Sequence, residues 1–124
     1  MKKTKMLKKN YEFSNVFSKG KYYSGETIEA FILKPKEQNS RDINIKKQYN
    51  YLGFAVGVKS GHAYQRNRVK RLLRENYNLL ENNLSLGNYM VFLWKKKKDI
   101  SQANFRQIES DMKKILKDAE IYKE

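Results

Sequence analysis

A chain of 124 residues, 40% of them hydrophobic, holds one domain with one modest core. No stretch approaches the ~20 consecutive apolar residues of a membrane-spanning helix, and the absence of Cys excludes disulfides and thiolate metal sites. Lys plus Arg total 27 against 13 acidic residues, and the resulting net charge of +14 calls for a polyanionic partner: RNA, DNA or an anionic membrane surface.

Met1 to Lys9 reads as a flexible basic arm. No apolar run of signal-peptide length follows it, so a cytoplasmic protein is expected. Asn10 is a candidate helix cap, with Glu12 in the first turn, where negative charge is favoured. Phe13, Val16 and Phe17 then form one apolar stripe on a short helix, and Gly20 ends it.

Thr27 to Leu33, rich in β-branched and aromatic residues, reads as a strand. Ile28, Ala30 and Ile32 share one face; Phe31 and Leu33 share the other with Thr27 and Glu29. The polar segment from Pro35 to Gln48 reads as a long connection. A further short strand is allowed near Tyr22 or Asp42.

Tyr51 to Val58 reads as a second strand. Leu52, Phe54, Val56 and Val58 alternate with Gly53, Ala55 and Gly57, and Lys59 continues the small-residue register. A face of Gly and Ala leaves room either for a ligand against the sheet or for a covering helix.

From Tyr64 to Leu80 the period becomes helical, with Val69, Leu72, Leu73, Tyr77 and Leu80 on one stripe. Arg66, Lys70 and Arg74 follow at i, i+4 and i+8 beside Asn67 and Arg71, so at ~100° per residue the basic group centres opposite the apolar one. Arg68 points nearer the apolar stripe. The chain has 21 Lys and only 6 Arg, yet Arg66, Arg68, Arg71 and Arg74 fall within nine residues. Arg offers a planar, multi-donor head suited to bidentate phosphate contacts, so this helix has one face for a core and one for an anion.

Tyr89 to Trp94, apolar on both faces, reads as a buried central strand closed by Lys95 to Lys98. Ser101 is the candidate cap of a last helix, whose stripe is Phe105, Ile108, Met112, Ile115 and Leu116. The order is helix, strand, strand, helix, strand, helix, an α+β or α/β sandwich of one sheet and covering helices.

The segment Gly61-His62-Ala63, then Arg66-Asn67-Arg68-Val69-Lys70-Arg71 and Arg74, resembles the RNR signature of the bacterial ribonuclease P protein family. Leu7-Lys8-Lys9-Asn10 with Phe13 and Phe17, followed by Gly20, Phe31 and Gly53, is similar to the rest of that family's pattern. The departures are small: Val58-Lys59 stands where many members have two Lys, His62 where Asn is common, and Trp94 where a basic residue is common.

The resemblance implies an α+β single-domain sandwich with one mixed sheet, covering helices and a left-handed βαβ crossover, a ribosomal-protein type of fold. It implies two partners, the ribonuclease P catalytic RNA and precursor tRNA, with neither a membrane nor a small-molecule substrate. Arg66, Asn67, Arg68, Lys70, Arg71 and Arg74 would meet the catalytic RNA. Phe13, Phe17, Phe31 and Lys59 would receive the precursor's single-stranded 5′ leader, with the Gly53-Ala55-Gly57 face as floor. The reaction implied is Mg²⁺-dependent hydrolysis of one phosphodiester bond, with the Mg²⁺ held mainly by the RNA.

The residues themselves offer no catalytic or metal-binding set: one His, no Cys, four scattered Asp and nine Glu without ligand spacing. His62 is expected to be a turn residue before the basic helix. A structural RNA-binding protein of ribosomal type is the alternative; it shares the charge but gives no reason for Asn67 between two Arg.

Overall fold

The computed structural model describes residues 2–35 and 49–123, so the expected Pro35 to Gln48 connection, Asp42 included, lies almost wholly outside the described residues. The described elements run β1 (Thr4–Met6), α1 (Asn10–Lys19), β2 (Lys21–Ser24), β3 (Ile28–Leu33), β4 (Asn50–Ala55), α2 (Ala63–Leu80), β5 (Tyr89–Trp94) and α3 (Phe105–Asp118). They form one five-stranded sheet in the order β1-β4-β5-β3-β2. The β1–β4 and β4–β5 pairs are parallel, while β5–β3 and β3–β2 are antiparallel. β4, α2 and β5 thus make a parallel crossover unit, and the α+β sandwich expected from the sequence is the architecture found.

Strand alternation sends Ile28, Ala30, Ile32, Leu52, Met90, Phe92 and Trp94 to one face. There they pack against Val69, Leu72, Leu73, Tyr77 and Leu80 of α2 and Ile108, Met112, Ile115 and Leu116 of α3. Among the described residues, the helix that covers the opposite face is α1, through a small cluster of Leu7, Val16 and Val91. Most apolar burial, worth roughly 25 cal/mol per Å², therefore lies under α2 and α3, and much of the α1 face is left half-exposed. No helix among the described residues is long and apolar enough to cross a membrane.

Four sequence expectations need correction. Thr4 to Met6 of the expected flexible arm form a parallel edge strand. The Thr4 hydroxyl pairs with the buried Tyr77 hydroxyl at 2.7 Å, and the Leu7 N–H donates to the Leu52 carbonyl. α1 is capped by Lys9 rather than Asn10, with Glu12 accepting from the Lys9 N–H at 2.8 Å. β4 ends at Ala55 rather than Val58: its last partner is Leu93, after which Val58 to Ser60 form a 3-10 turn and Val58 is exposed. Ser101 does not cap the last helix; it lies in a 3-10 turn capped by Asp99, and Asn104 caps α3 by accepting from the Gln107 N–H. The short strand allowed near Tyr22 is β2.

A carboxylate ties the β2–β3 turn to α3. Asp111 accepts from the Glu26 and Thr27 N–H groups, the Thr27 hydroxyl and the Gln107 amide. Burial alone would raise its pKa, but these donors outweigh burial and hold it below the usual Asp value.

Candidate nucleic-acid interfaces

The basic surface is built by one helix. Val69, Leu72, Leu73, Asn76, Tyr77 and Leu80 are buried along α2, which turns Asn67, Arg71 and Arg74 to solvent and leaves Arg66 and Lys70 half-buried. The expected group of Arg66, Asn67, Lys70, Arg71 and Arg74 is therefore brought onto one side. Arg66 Nε is shielded from solvent and has no acceptor among the described residues. A cationic donor so placed is suited to an anionic acceptor. Arg71 makes only an exposed i, i+4 contact to Glu75 at 3.7 Å, which contributes little and is readily exchanged. Arg68 differs from the others: its guanidinium donates to the Ala103 carbonyl at 2.7 Å and anchors α2 to the segment before α3.

Local geometry explains the residues before these arginines. His62 caps α2, its N–H donating to the Gln65 side chain at 2.9 Å. The His62 ring stacks on Tyr64 at the surface, as a turn residue would. At Gly61 a Cβ would sit 2.6 Å from Gln65 Oε1 and 2.7 Å from Ile100, so a larger residue there would have to push these side chains aside.

The second surface is composite. Phe13 and Phe17 descend from α1 onto the sheet, and Phe31 rises from β3. Phe17 meets Phe31 edge-on, with centroids 5.2 Å apart, and Tyr22 of β2 lies 5.4 Å from Phe31 at a tilt. Phe17 and Tyr22 are exposed, so the cluster is an accessible aromatic ledge. Sequence reasoning found Phe13, Phe17 and Phe31 but missed Tyr22. The available signal was its position opposite Phe31 in a short hairpin, legible only once β2 is paired with β3.

Two parts of the expected cleft are rearranged. A Cβ on Gly53 would fall onto the Phe13 ring, so the small residue makes room for α1 and is not an open floor. Ala55 is half-exposed and Gly57 lies outside the strand. Lys59 is out of the strand register as well. It sits on the 3-10 turn and lines a pocket of about 230 Å³ with Gly57, Val58, Ser60 and Lys96, between the end of β4 and the start of α2.

Glu29 lies on the aromatic face one register step from Phe31, opposite Ser24 and Leu93. It accepts from the Tyr22 hydroxyl at 2.6 Å, which raises the phenol's pKa above its ordinary value. Among the described residues, no group of three or more His, Cys, Asp and Glu side chains could hold a metal ion.

The family model described as Ribonuclease P matches residues 1–120. Ribonuclease P protein components of Natranaerobius thermophilus and Clostridium botulinum are similar at 39% and 34% identity, covering 90% and 94% of this chain and 81% and 89% of theirs. The ribonuclease P proteins of Staphylococcus aureus and Thermotoga maritima share the fold, each with a TM-score of 0.74, at 23% and 24% identity, covering 94% and 92% of this chain and 96% of each of theirs. With the RNR segment on a solvent-facing helix and relatives of this identity across nearly its whole length, the chain belongs to the ribonuclease P protein family, the protein component of the ribonucleoprotein endoribonuclease that processes tRNA 5′ ends.

Proposed function

We propose that this chain binds the catalytic RNA through α2 and the 5′ leader of precursor tRNA through the aromatic ledge, and so assists Mg²⁺-dependent removal of the leader. The observation that carries the reading is the placement of two chemically different surfaces on opposite faces of one sheet. α2 packs on the face of Leu52 and Met90, and α1 with Phe13 on the face of Val91. Arg66, Asn67, Lys70, Arg71 and Arg74 meet phosphates of the catalytic RNA, with Arg68 holding the helix in place. Phe17, Phe31 and Tyr22 stack against leader bases while Lys59 faces the phosphate backbone.

The reading leaves the Mg²⁺ mainly to the RNA. The protein's +14 charge offsets phosphate repulsion, which lets metal sites in the RNA fill at lower Mg²⁺ and tightens precursor binding. No side chain acts as acid, base or nucleophile. The relatives' shared designation gives the ribosomal alternative no support.

The test is precursor tRNA cleavage with catalytic RNA, with and without the protein. The protein alone should cleave at no Mg²⁺ concentration. The saturated complex carrying His62→Ala should keep a single-turnover rate within a few-fold of the parent. A drop of about a hundredfold, roughly 2.7 kcal/mol of barrier, in a complex that still assembles would place the protein in the chemistry.

A further inference from the structure

Glu29 is out of keeping with its surroundings. The chain carries 27 basic residues, yet this carboxylate stands on the exposed aromatic face with a phenol, not a cation, as its partner among the described residues. A surface that only attracts phosphate is weakened by an anion. The Tyr22 hydroxyl takes one acceptor position on Oε2 and fixes the side chain's direction, while an ionised carboxylate keeps several more lone-pair sites across its two oxygens.

Residues two apart on a strand face lie about 7 Å from each other. The Glu29 carboxylate reaches the rim of the Tyr22 ring, so it lies at the border of the Phe17–Phe31–Tyr22 ledge, beside any base stacked there. An unpaired base leaves its Watson–Crick edge free for such a contact. We propose that Glu29, oriented by Tyr22, reads the Watson–Crick edge of one leader base and favours guanine most and uracil least. This rests on the leader-binding reading above and adds a specificity-determining residue to it.

The order of preference follows from the donors. A carboxylate only accepts. Guanine presents two adjacent donors, N1–H and N2–H, to two carboxylate oxygens. Adenine and cytosine each present one amino group beside an acceptor. Uracil presents a single N3–H between two carbonyl oxygens, both of which repel the carboxylate.

The experiment uses the holoenzyme reconstituted with ribonuclease P RNA and precursor tRNA pools in which each leader position is randomised in turn. The readout is relative kcat/KM for the four nucleotides. At one position the parent should favour guanine over uracil by about tenfold, the usual scale of a bidentate base contact. Glu29→Gln, which adds a donor, should bring that ratio to within about twofold, and Glu29→Ala should flatten the same position. Tyr22→Phe, which removes only the hydroxyl, should lower the ratio partway. An unchanged ratio in both Glu29 variants, or a parent with no position favouring guanine over uracil, overturns the proposal.

Phe17→Ala separates the two layers of the argument. If it removes the advantage of leader-bearing over leaderless precursor while the Glu29 variants leave the profile intact, base reading fails and leader binding stands. If it leaves that advantage whole, the leader-binding reading falls and takes base reading with it. Circular dichroism and melting temperature of each variant confirm that the ratios come from folded protein.

Discussion

The α2 surface and the aromatic ledge are made in opposite ways. The α2 surface belongs to one helix: the same 3.6-residue period that buries Val69, Leu73 and Tyr77 delivers Arg66, Lys70 and Arg74 to the other side. The ledge belongs to no single element, since α1 supplies Phe17, β2 Tyr22 and β3 Phe31. A surface encoded by one helix survives local damage elsewhere. A surface assembled from three elements depends on how they dock.

The sharpest break in this comparison is removal of charge from α2. Arg66→Ala combined with Arg71→Ala should weaken catalytic RNA binding by about a hundredfold and lower the steepness of the salt dependence by about two phosphate contacts. Filter binding over a salt series measures both, and the melting temperature should hold. Unchanged affinity would remove α2 from the interface. The counterpart is Phe17→Ala with Phe31→Ala. Affinity for leader-bearing precursor should fall at least about tenfold relative to leaderless precursor, the scale of lost base stacking, while catalytic RNA binding stays near that of the parent. Equal losses on both ligands would mean that the surfaces are not separate.

The contrast also governs what the sequence reveals. α2, β5 and α3 are legible because their patterns are local: Val69 to Leu80, Tyr89 to Trp94 and Ile108 to Leu116 each carry their period within one segment. β1 is not legible, because Thr4-Lys5-Met6 reads as a strand only through its parallel pairing with β4. The end of β4 is misread for the converse reason. Val56 and Val58 continue the alternation, but the chain leaves the sheet after Ala55, and Lys59 moves with it. Three of the five expected α2 contacts, Asn67, Arg71 and Arg74, are exposed and Arg66 and Lys70 are half-buried, whereas the Gly53 floor turned out to be filled by Phe13.

A smaller effect tests whether the ledge depends on docking. Asp111→Asn places an amide among donors that want a carboxylate, and should cost about 2 kcal/mol of stability at neutral pH. Because the folded-state pKa of Asp111 is depressed, its contribution is present above the ordinary Asp range and is lost as pH falls through the depressed value. Urea unfolding of parent and variant should therefore differ at pH 7 and converge in acid. Leader affinity should suffer more than catalytic RNA affinity, since the Glu26–Thr27 turn that Asp111 holds carries β2 and β3. The smallest expected change is Thr4→Val. It removes one partner of the Tyr77 hydroxyl, whose pKa burial pushes up to about 12, and should cost about 1 kcal/mol by the same denaturation assay, with both RNA surfaces intact.

The parallel pairing of β1 with β4 has a consequence for biosynthesis. β1 is translated before α1, β2 and β3, yet its hydrogen-bonding partner emerges only after all three. Closing so long a loop costs more entropy than closing the β2–β3 hairpin, so the hairpin is favoured to form first. Until β1 pairs, β4 presents an unprotected edge, the usual template for pairing with a neighbouring chain. Lys2, Lys3, Lys5, Lys8 and Lys9 crowd the strand that must wait. Their mutual repulsion, and that between one nascent copy and the next, keeps intermolecular strand pairing unfavourable while each copy completes its own sheet.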